Sequence, residues 1–84
     1  MSNITAQEAT RIAKEYFQSV IGNYGIQTTI EEVERNEKNN WVVTLSYRNS
    51  NDIFTSPDSR EYKIFEIQPS TGDVLSMKIK KNFD

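Results

Sequence analysis

The chain of 84 residues contains neither cysteine nor histidine. These absences exclude disulfides, thiolate nucleophiles, imidazole proton shuttles and the usual zinc sites. Catalysis by paired carboxylates would need a cleft and a neighbouring group that raises the pKa of one carboxylate. A chain this short has few residues with which to form the walls of such a cleft. We therefore expect a protein that is not an enzyme, with no catalytic residues, no cofactor and no metal.

The chain also lacks a strong charge of one sign and any long apolar run. Its 10 basic and 12 acidic residues give a net charge of −2, which provides no broad attraction to phosphate backbones or anionic lipid. The longest apolar run, such as Trp41–Val43, is far shorter than a membrane span, and Met1–Thr5 lacks the pattern of a secretory signal. We expect a cytoplasmic protein that binds neither nucleic acid nor membrane.

What is present is enough for one small folded domain that spans 1–84. Hydrophobic residues make up 36% of the chain and aromatic residues 11%. A disordered chain would have fewer aromatic residues and more uncompensated charge. A globule of this size buries only about 60 to 65% of the surface of its unfolded chain, so its core is a single contact between two layers.

An amphipathic helix is predicted from Ala6 to Ile21. Thr5 and Glu8 have the spacing of a capping box, and Gly22 is suited to the left-handed conformation that ends a helix. The apolar positions recur at helical spacing along one stripe; they are Ala9, Ile12, Ala13, Tyr16, Phe17 and Val20. The opposite face is polar and carries Arg11, Lys14, Glu15 and Gln18.

Two strands are predicted in the middle of the chain. The segment from Ile26 to Arg35 alternates apolar and polar residues until the phase changes at Val33, which indicates a bulge or an early end. Trp41 to Arg48 alternates cleanly, and Trp41 shares the phase of the core positions, so we expect it in the core or at its margin.

A hairpin is predicted near the end of the chain. Its strands are about Arg60 to Gln68 and Asp73 to Lys80, joined by a turn in which Gly72 supplies a positive φ. Alternation predicts that the side chains Leu75, Met77 and Ile79 lie on one face. The fold class is therefore α+β: one N-terminal helix on a three- or four-stranded antiparallel meander sheet, with the second sheet face left open.

These residues resemble the PepSY domain over nearly the whole chain. The resemblance consists of Ile4-Thr5, Glu8-Ala9 and Ile12-Ala13 on the opening helix, followed by Tyr62–Ile67 and Thr71–Leu75 in the hairpin. PepSY domains are small α+β modules of protease propeptides and cell-envelope proteins. The resemblance implies protein interaction or modulation of a peptidase, and it brings no catalytic residues.

The candidate partner-binding residues are Ile53 and Phe54. They are adjacent large apolar residues in the polar loop from Asn49 to Ser59, so they either fold back on the sheet or contact a partner. Folding back is the simpler interpretation.

Other candidate groups have simpler explanations. The cluster Glu31, Glu32, Glu34 and Glu37 is typical of a solvated strand. The lysines at 78, 80 and 81 are typical of a protected sheet edge. The oxygen side chains of the loop at 49, 51, 52 and 58 are typical of turns, because they lack the pattern of a calcium-binding loop.

Two functions are consistent with the sequence. The first is a non-catalytic protein-interaction module of PepSY-like type that uses the open face, a strand edge or the Ile53-Phe54 loop, with a homodimer through the edge or open face as one form of it. The alternative is a small-molecule carrier or sensor with a pocket between the helix, at Tyr16 and Phe17, and the sheet.

Overall fold

One helix packs on a four-stranded antiparallel sheet in the computed structural model, which describes residues 3–22, 25–48 and 60–79. The elements are α1 (Ala6–Ile21), β1 (Thr28–Arg35), β2 (Trp41–Arg48), β3 (Arg60–Ile67) and β4 (Val74–Ile79). The sheet is a meander in the order β1-β2-β3-β4. The predicted two-layer α+β class is confirmed, and the predicted bounds of α1 and β2 match those observed.

Both ends of α1 are capped as its sequence predicts. The Thr5 hydroxyl accepts a hydrogen bond from the Glu8 amide at 3.1 Å, and the Glu8 carboxylate accepts one from the Thr5 amide at 2.8 Å. At the other end Gly22 has φ 70°, and its N–H donates to the carbonyl of Gln18. These bonds satisfy backbone groups that a helix leaves without intrahelical partners.

The central line of the helical stripe forms the contact with the sheet. Ala9, Ala13 and Phe17 are fully buried. The Phe17 ring lies 4.7 Å from the Tyr47 ring and 6.5 Å from the Phe65 ring between centroids. The two alanines let the helix backbone approach the sheet, and Phe17 fills the space beyond them.

The sheet contributes its buried side chains from the two central strands. They are Val43, Leu45, Phe65 and Ile67. Trp41 lies at the margin of this core, where its ring N–H donates to the carbonyl of Ile4 at 3.1 Å and the Arg35 guanidinium lies 4.7 Å from its ring centre. The predicted place of Trp41 is thus confirmed.

Bulges shift the register of both edge strands. In β1 the pairing with β2 shifts between Ile30 and Glu32, as the phase change in the sequence indicated. In β4 the pairing with β3 runs from Val74 to Ser76, so Leu75 has no partner residue. Val74 therefore packs against the core and Leu75 is 50% exposed, so the predicted common face of Leu75 and Met77 is wrong.

Candidate functional site

A shallow trough runs between α1 and β4, the fourth and outermost strand. It has a volume of about 550 Å³. Ile12 and Tyr16 line it from the helix, and Gly72 and Val74 line it from the turn and strand. We call this surface the α1–β4 trough. It exists because α1 lies mainly over β1 and β2, and covers β3 and β4 less fully.

Large apolar side chains are exposed along the trough and on β4. Tyr16, Val20, Leu75 and Ile79 are 40%, 52%, 50% and 66% exposed. The helix advances in the same direction as β4, because Ile12 lies near Gly72 whereas Tyr16, one turn further on, packs on Phe65. Val20 and Ile79 therefore lie toward the same end of the trough.

Charges differ between the two ends of the trough. Asp73 lies at the end where β4 begins, and so does Glu15, which is ion-paired with Arg11 at 3.2 Å. Lys63 pairs with Ile79 across the sheet, and Lys78 precedes Ile79 in β4. The surface is therefore acidic at one end, apolar along its length and basic at the other end.

A second concave surface lies on the other side of α1, where β1 begins and β2 ends. It has a volume of about 530 Å³. Its described lining residues are Lys14, Gln18, Ile26, Gln27, Thr28, Thr29, Arg48 and Arg60. These residues include three cations and no carboxylate, and we call this surface the basic cleft.

A hydrogen-bonded network holds the Arg60 guanidinium on the sheet face opposite α1, since Arg60, Ser46 and Thr29 alternate with the residues that face the helix. Ser46 is fully buried on β2, and its hydroxyl donates to the Glu31 carboxylate at 2.6 Å. The same hydroxyl accepts from Arg60 Nε at 3.0 Å, and Arg60 Nη2 donates to the Thr29 hydroxyl at 3.1 Å. The strands that meet here thus fix the position of the guanidinium.

A carboxylate also organises the turn between β1 and β2. Glu66 accepts hydrogen bonds from the Asn40 and Asn36 side-chain amides at 2.9 and 2.8 Å. These bonds, with a smaller attraction from Lys38 and Lys78, lower the pKa of Glu66 below its ordinary value of 4.5 although partial burial acts in the opposite direction. This arrangement anchors the turn to β3.

The pH dependence of stability follows from the lowered pKa of Glu66. The bonds to the carboxylate stabilise the fold above pH 4.5, and this contribution is lost as the pH falls through the lower pKa of the folded state. We expect Glu66→Gln to be less stable than the wild type at pH 7, with the difference shrinking below about pH 4.5. Urea melts across this range test it, with Glu32→Gln as a control that alters an exposed carboxylate without a described hydrogen bond; equal pH dependence of the wild type and Glu66→Gln would contradict it.

Tyr47 closes the edge of the core beside Phe17. Burial, together with a hydrogen bond to the Glu61 carboxylate and repulsion from it, raises the pKa of Tyr47 to about 12. The phenol therefore remains protonated near neutral pH and donates to Glu61. The two residues face each other across β2 and β3.

The predicted site residues have different outcomes. Ile53 and Phe54, with the loop from 49 to 59, lie outside the described residues, as do the lysines at 80 and 81. The four glutamates of the acidic cluster are all exposed. One of them, Glu31, accepts a hydrogen bond from the Ser46 hydroxyl. In the described ranges 3–22, 25–48 and 60–79, no three carboxylates converge as a metal site would require.

The space predicted for a small-molecule pocket beneath Tyr16 and Phe17 is filled. Phe17 is fully buried among aromatic rings, and Tyr16 stacks edge-on against Phe65 with centroids 6.2 Å apart. Packing of this kind counts against a ligand pocket at that point. The concave surfaces instead flank the helix on either side.

No protein-family model, curated protein or solved structure matches this chain. Within the described part of the chain, no helix is long and apolar enough to cross a membrane. The fold itself defines the class: a small α+β domain with one helix on an antiparallel meander. The two surfaces beside the helix are therefore the candidates for function.

Proposed function

We propose that this protein is a non-catalytic, PepSY-like protein-interaction domain that binds an extended segment of a partner protein along β4. The observation that carries the proposal is the row of exposed apolar side chains beside an edge strand. An added strand would pair with the outer main-chain groups of β4 and would cover Ile79 and the α1–β4 trough.

Edge pairing suits a surface without reactive side chains. The strand order makes β4 an edge, so one side of it has no neighbouring strand within the described sheet. Main-chain hydrogen bonds supply affinity in this mode of recognition, and pockets for alternate side chains supply selectivity. The α1–β4 trough offers such a pocket to side chains on the helix side of the added strand.

The exposed apolar side chains provide a favourable term for binding. Burying an aliphatic side chain fully is worth about 1.5 to 3 kcal/mol, so covering the exposed 66% of Ile79 is worth roughly 1 to 2 kcal/mol. Tyr16 adds a partly exposed ring whose inner edge is already fixed against Phe65. A ring held in this way loses little conformational freedom on binding.

Charge favours a partner protein over a second copy of this chain. A lysine on an edge strand opposes edge-to-edge self-association, and Lys78 lies in β4 next to Ile79. Lys78 and Lys63 together favour a partner segment whose acidic residues lie beside Ile79. The occupant we propose is thus an extended segment with alternating apolar residues and an acidic flank.

The resemblance to PepSY domains supports a protein as the partner. It comprises the capped helix at Ile4–Ala13 and the hairpin segments Tyr62–Ile67 and Thr71–Leu75. Since PepSY domains occur in protease propeptides, peptidases are the first class of partner to test.

Selection from a library of displayed dodecapeptides tests the proposal. We expect the selected peptides to alternate apolar and other residues and to carry an acidic flank. Ile79→Asp should lower their affinity at least tenfold, because it places a charge where an apolar contact forms and repels the acidic flank. Fluorescence anisotropy with labelled peptides measures the affinity.

Ile21→Asp is the matched control for Ile79→Asp. Ile21 is 41% exposed but lies on the side of α1 away from β4, so its replacement should change peptide affinity less than twofold. Equal losses in the two variants would contradict a site on β4. A dimer in sedimentation that Ile79→Asp dissociates would make a second copy the occupant, and loss of binding in Phe54→Ala alone would move the site to Ile53 and Phe54.

A further inference from the structure

We propose that β4 binds a segment in which an acidic residue stands between two apolar residues, and that this segment runs antiparallel to β4. The inference rests on the proposed function, because it concerns the same edge strand. It adds a register and a direction to that site. Both follow from the side chains that β4 carries on its two faces between Ser76 and Ile79.

The side chains in the second half of β4 alternate between the two faces of the sheet. Met77 pairs with the fully buried Phe65 and packs against the core, so it lies on the face that α1 covers. Ile79 lies two residues further on and shares that face. Lys78 pairs with Ile64 and lies on the opposite face. The edge strand is therefore apolar on one face and cationic on the other.

The bulge in β4 limits the regular part of this edge to its last four residues. Pairing with β3 is continuous from Ser76 to Ile79, and it is interrupted at Leu75, which has no partner residue. A bulge leaves its extra residue unpaired and disrupts the ladder locally. An added strand therefore has four consecutive residues whose side-chain directions are fixed by pairing with β4.

These four residues define four positions in the bound segment. Residues directly opposite each other on neighbouring strands share a sheet face, and their side chains interact. The first position lies beside the 66% exposed Ile79 and the third beside Met77, so both side chains point toward α1 and the α1–β4 trough. The second position lies beside Lys78 on the opposite face, and the fourth lies beside Ser76. Apolar side chains suit the first and third positions, and an acidic side chain suits the second.

Lys78 is available to an acidic side chain at the second position. It is exposed, its attraction to Glu66 is weak, and it forms no hydrogen bond or ion pair with a residue that the structure describes. Lys63 lies on β3 and on the other face, since it pairs with Ile79. Strands are about 4.8 Å apart, so the backbone of the bound segment lies about 5 Å from Lys78 and about 10 Å from Lys63. The lysine that opposes pairing of two β4 edges thus favours an acidic partner.

The direction of the segment follows from the pairing geometry and from the charge where β4 begins. All the strand pairs of the described sheet are antiparallel, and parallel pairing is slightly less stable per residue. An antiparallel segment passes Ile79 first and Asp73 last. Asp73 is exposed and favours a basic residue after the fourth position, whereas the charge of Glu15 is compensated by Arg11. The expected order is apolar, acidic, apolar and small polar, followed by a basic residue.

Three synthetic decapeptides test the register by fluorescence anisotropy with the full chain. The reference peptide has valine, aspartate, valine and serine in that order at its centre and a lysine near its carboxyl end. The second peptide exchanges the first valine and the aspartate, and the third replaces the aspartate by lysine. We expect both to bind at least fivefold more weakly than the reference, because the second turns the carboxylate toward Ile79 and the third opposes two like charges.

A charge exchange assigns the acidic position to Lys78. Lys78→Glu should bind the peptide with lysine at the second position more tightly than the reference, which reverses the preference of the wild type. Lys14→Glu makes the same change of net charge on the flank of α1 toward β1, so it should keep the preference for the reference peptide. Lys78 is exposed, and circular dichroism of both variants checks that the fold is retained.

A nitroxide label on either end of the reference peptide tests the direction by NMR of the ¹⁵N-labelled chain. We expect a label on the amino end to broaden the amides of Lys78 and Ile79 most, and a label on the carboxyl end to broaden those of Gly72 and Asp73. The two ends of β4 are roughly 20 Å apart, which is enough to distinguish the two results.

The outcomes separate this inference from the proposed function. Equal affinity for the three peptides, or loss of the preference in Lys14→Glu as well as in Lys78→Glu, would overturn the register. Exchange of the two broadening patterns would overturn the direction. In both cases broadening along β4 would still support the proposed site. Broadening confined to β1, or no binding of any peptide at millimolar concentration, would overturn the proposed function and this inference together.

Discussion

Phe17→Ala lowers the free energy of unfolding by about 3 to 5 kcal/mol, the usual cost of removing a large aromatic side chain from a core. The ring is fully buried, and it contacts both Tyr47 and Phe65. Its loss leaves a cavity between α1 and the sheet that Ala13 and Ala9, one and two turns earlier, are too small to fill. Urea melts at neutral pH measure the change.

Val20→Ala is the matched control, because Val20 belongs to the same helical stripe but is 52% exposed. We expect it to cost less than about 1 kcal/mol. A cost below about 1 kcal/mol for Phe17→Ala as well would mean that the ring is not buried in solution. Since small domains unfold at about 5 to 15 kcal/mol, the expected loss for Phe17 is a large share of the total stability.

The parts of the fold that were predictable depend on neighbours in the sequence. The capping box of Thr5 and Glu8 and the left-handed Gly22 fix the ends of α1, and all their partners lie within four residues. The phase change near Val33 marked the bulge of β1, and Gly72 marked the turn of the hairpin. Each of these signals is local, so no tertiary information was needed.

The phase of β4 was not predictable from alternation alone. Val74, Leu75 and Met77 are all apolar, so the strand has two possible phases at its start. The bulge opposite Glu66 and Ile67 places Val74 on the core and leaves Leu75 exposed. Whether Val74 or Leu75 faces the core depends on how Val74 packs against the helix. This is a tertiary contact, which alternation along the strand does not reveal.

The basic cleft was also missed, because its residues come from distant parts of the chain. The sequence places Lys14 and Gln18 on the polar face of α1, where solvation is the ordinary expectation. Arg48 and Arg60 are strand ends, and their pairing depends on the register of β2 and β3 across the loop from 49 to 59. Only that register brings the two guanidinium groups to the same edge.

Both candidate surfaces have one geometric origin. A helix is about 10 Å wide, whereas the outer strands of a four-stranded sheet lie roughly 14 Å apart, so one helix leaves both flanks of the sheet incompletely covered. Ala9 and Ala13 bring α1 close to the sheet and keep its buried line narrow. The flank toward β4 is apolar, whereas the flank toward β1 is polar and carries Lys14 and Gln18 of the helix.

Gly72→Val lowers the free energy of unfolding by about 2 to 4 kcal/mol, because two unfavourable effects coincide at this turn. Gly72 has φ 80°, which L side chains rarely adopt and β-branched ones least of all. A Cβ at this position would lie 3.3 Å from Ile12 Cδ1 on the helix. The hydrogen bond from the Gly72 N–H to the Gln68 carbonyl, at 2.7 Å, holds the turn in this conformation.

Paired variants separate the backbone effect from the contact with the helix. Gly22 has φ 70° and open space around the position that a Cβ would take, so Gly22→Ala should show the backbone cost alone, about 1 to 2 kcal/mol. Adding Ile12→Ala to Gly72→Val should relieve the steric part, so the double variant should lose less than the sum of the two single losses in urea melts. Strictly additive losses would mean that a side chain at position 72 has no steric contact with Ile12. The hairpin and the helix would then interact only through the buried core residues.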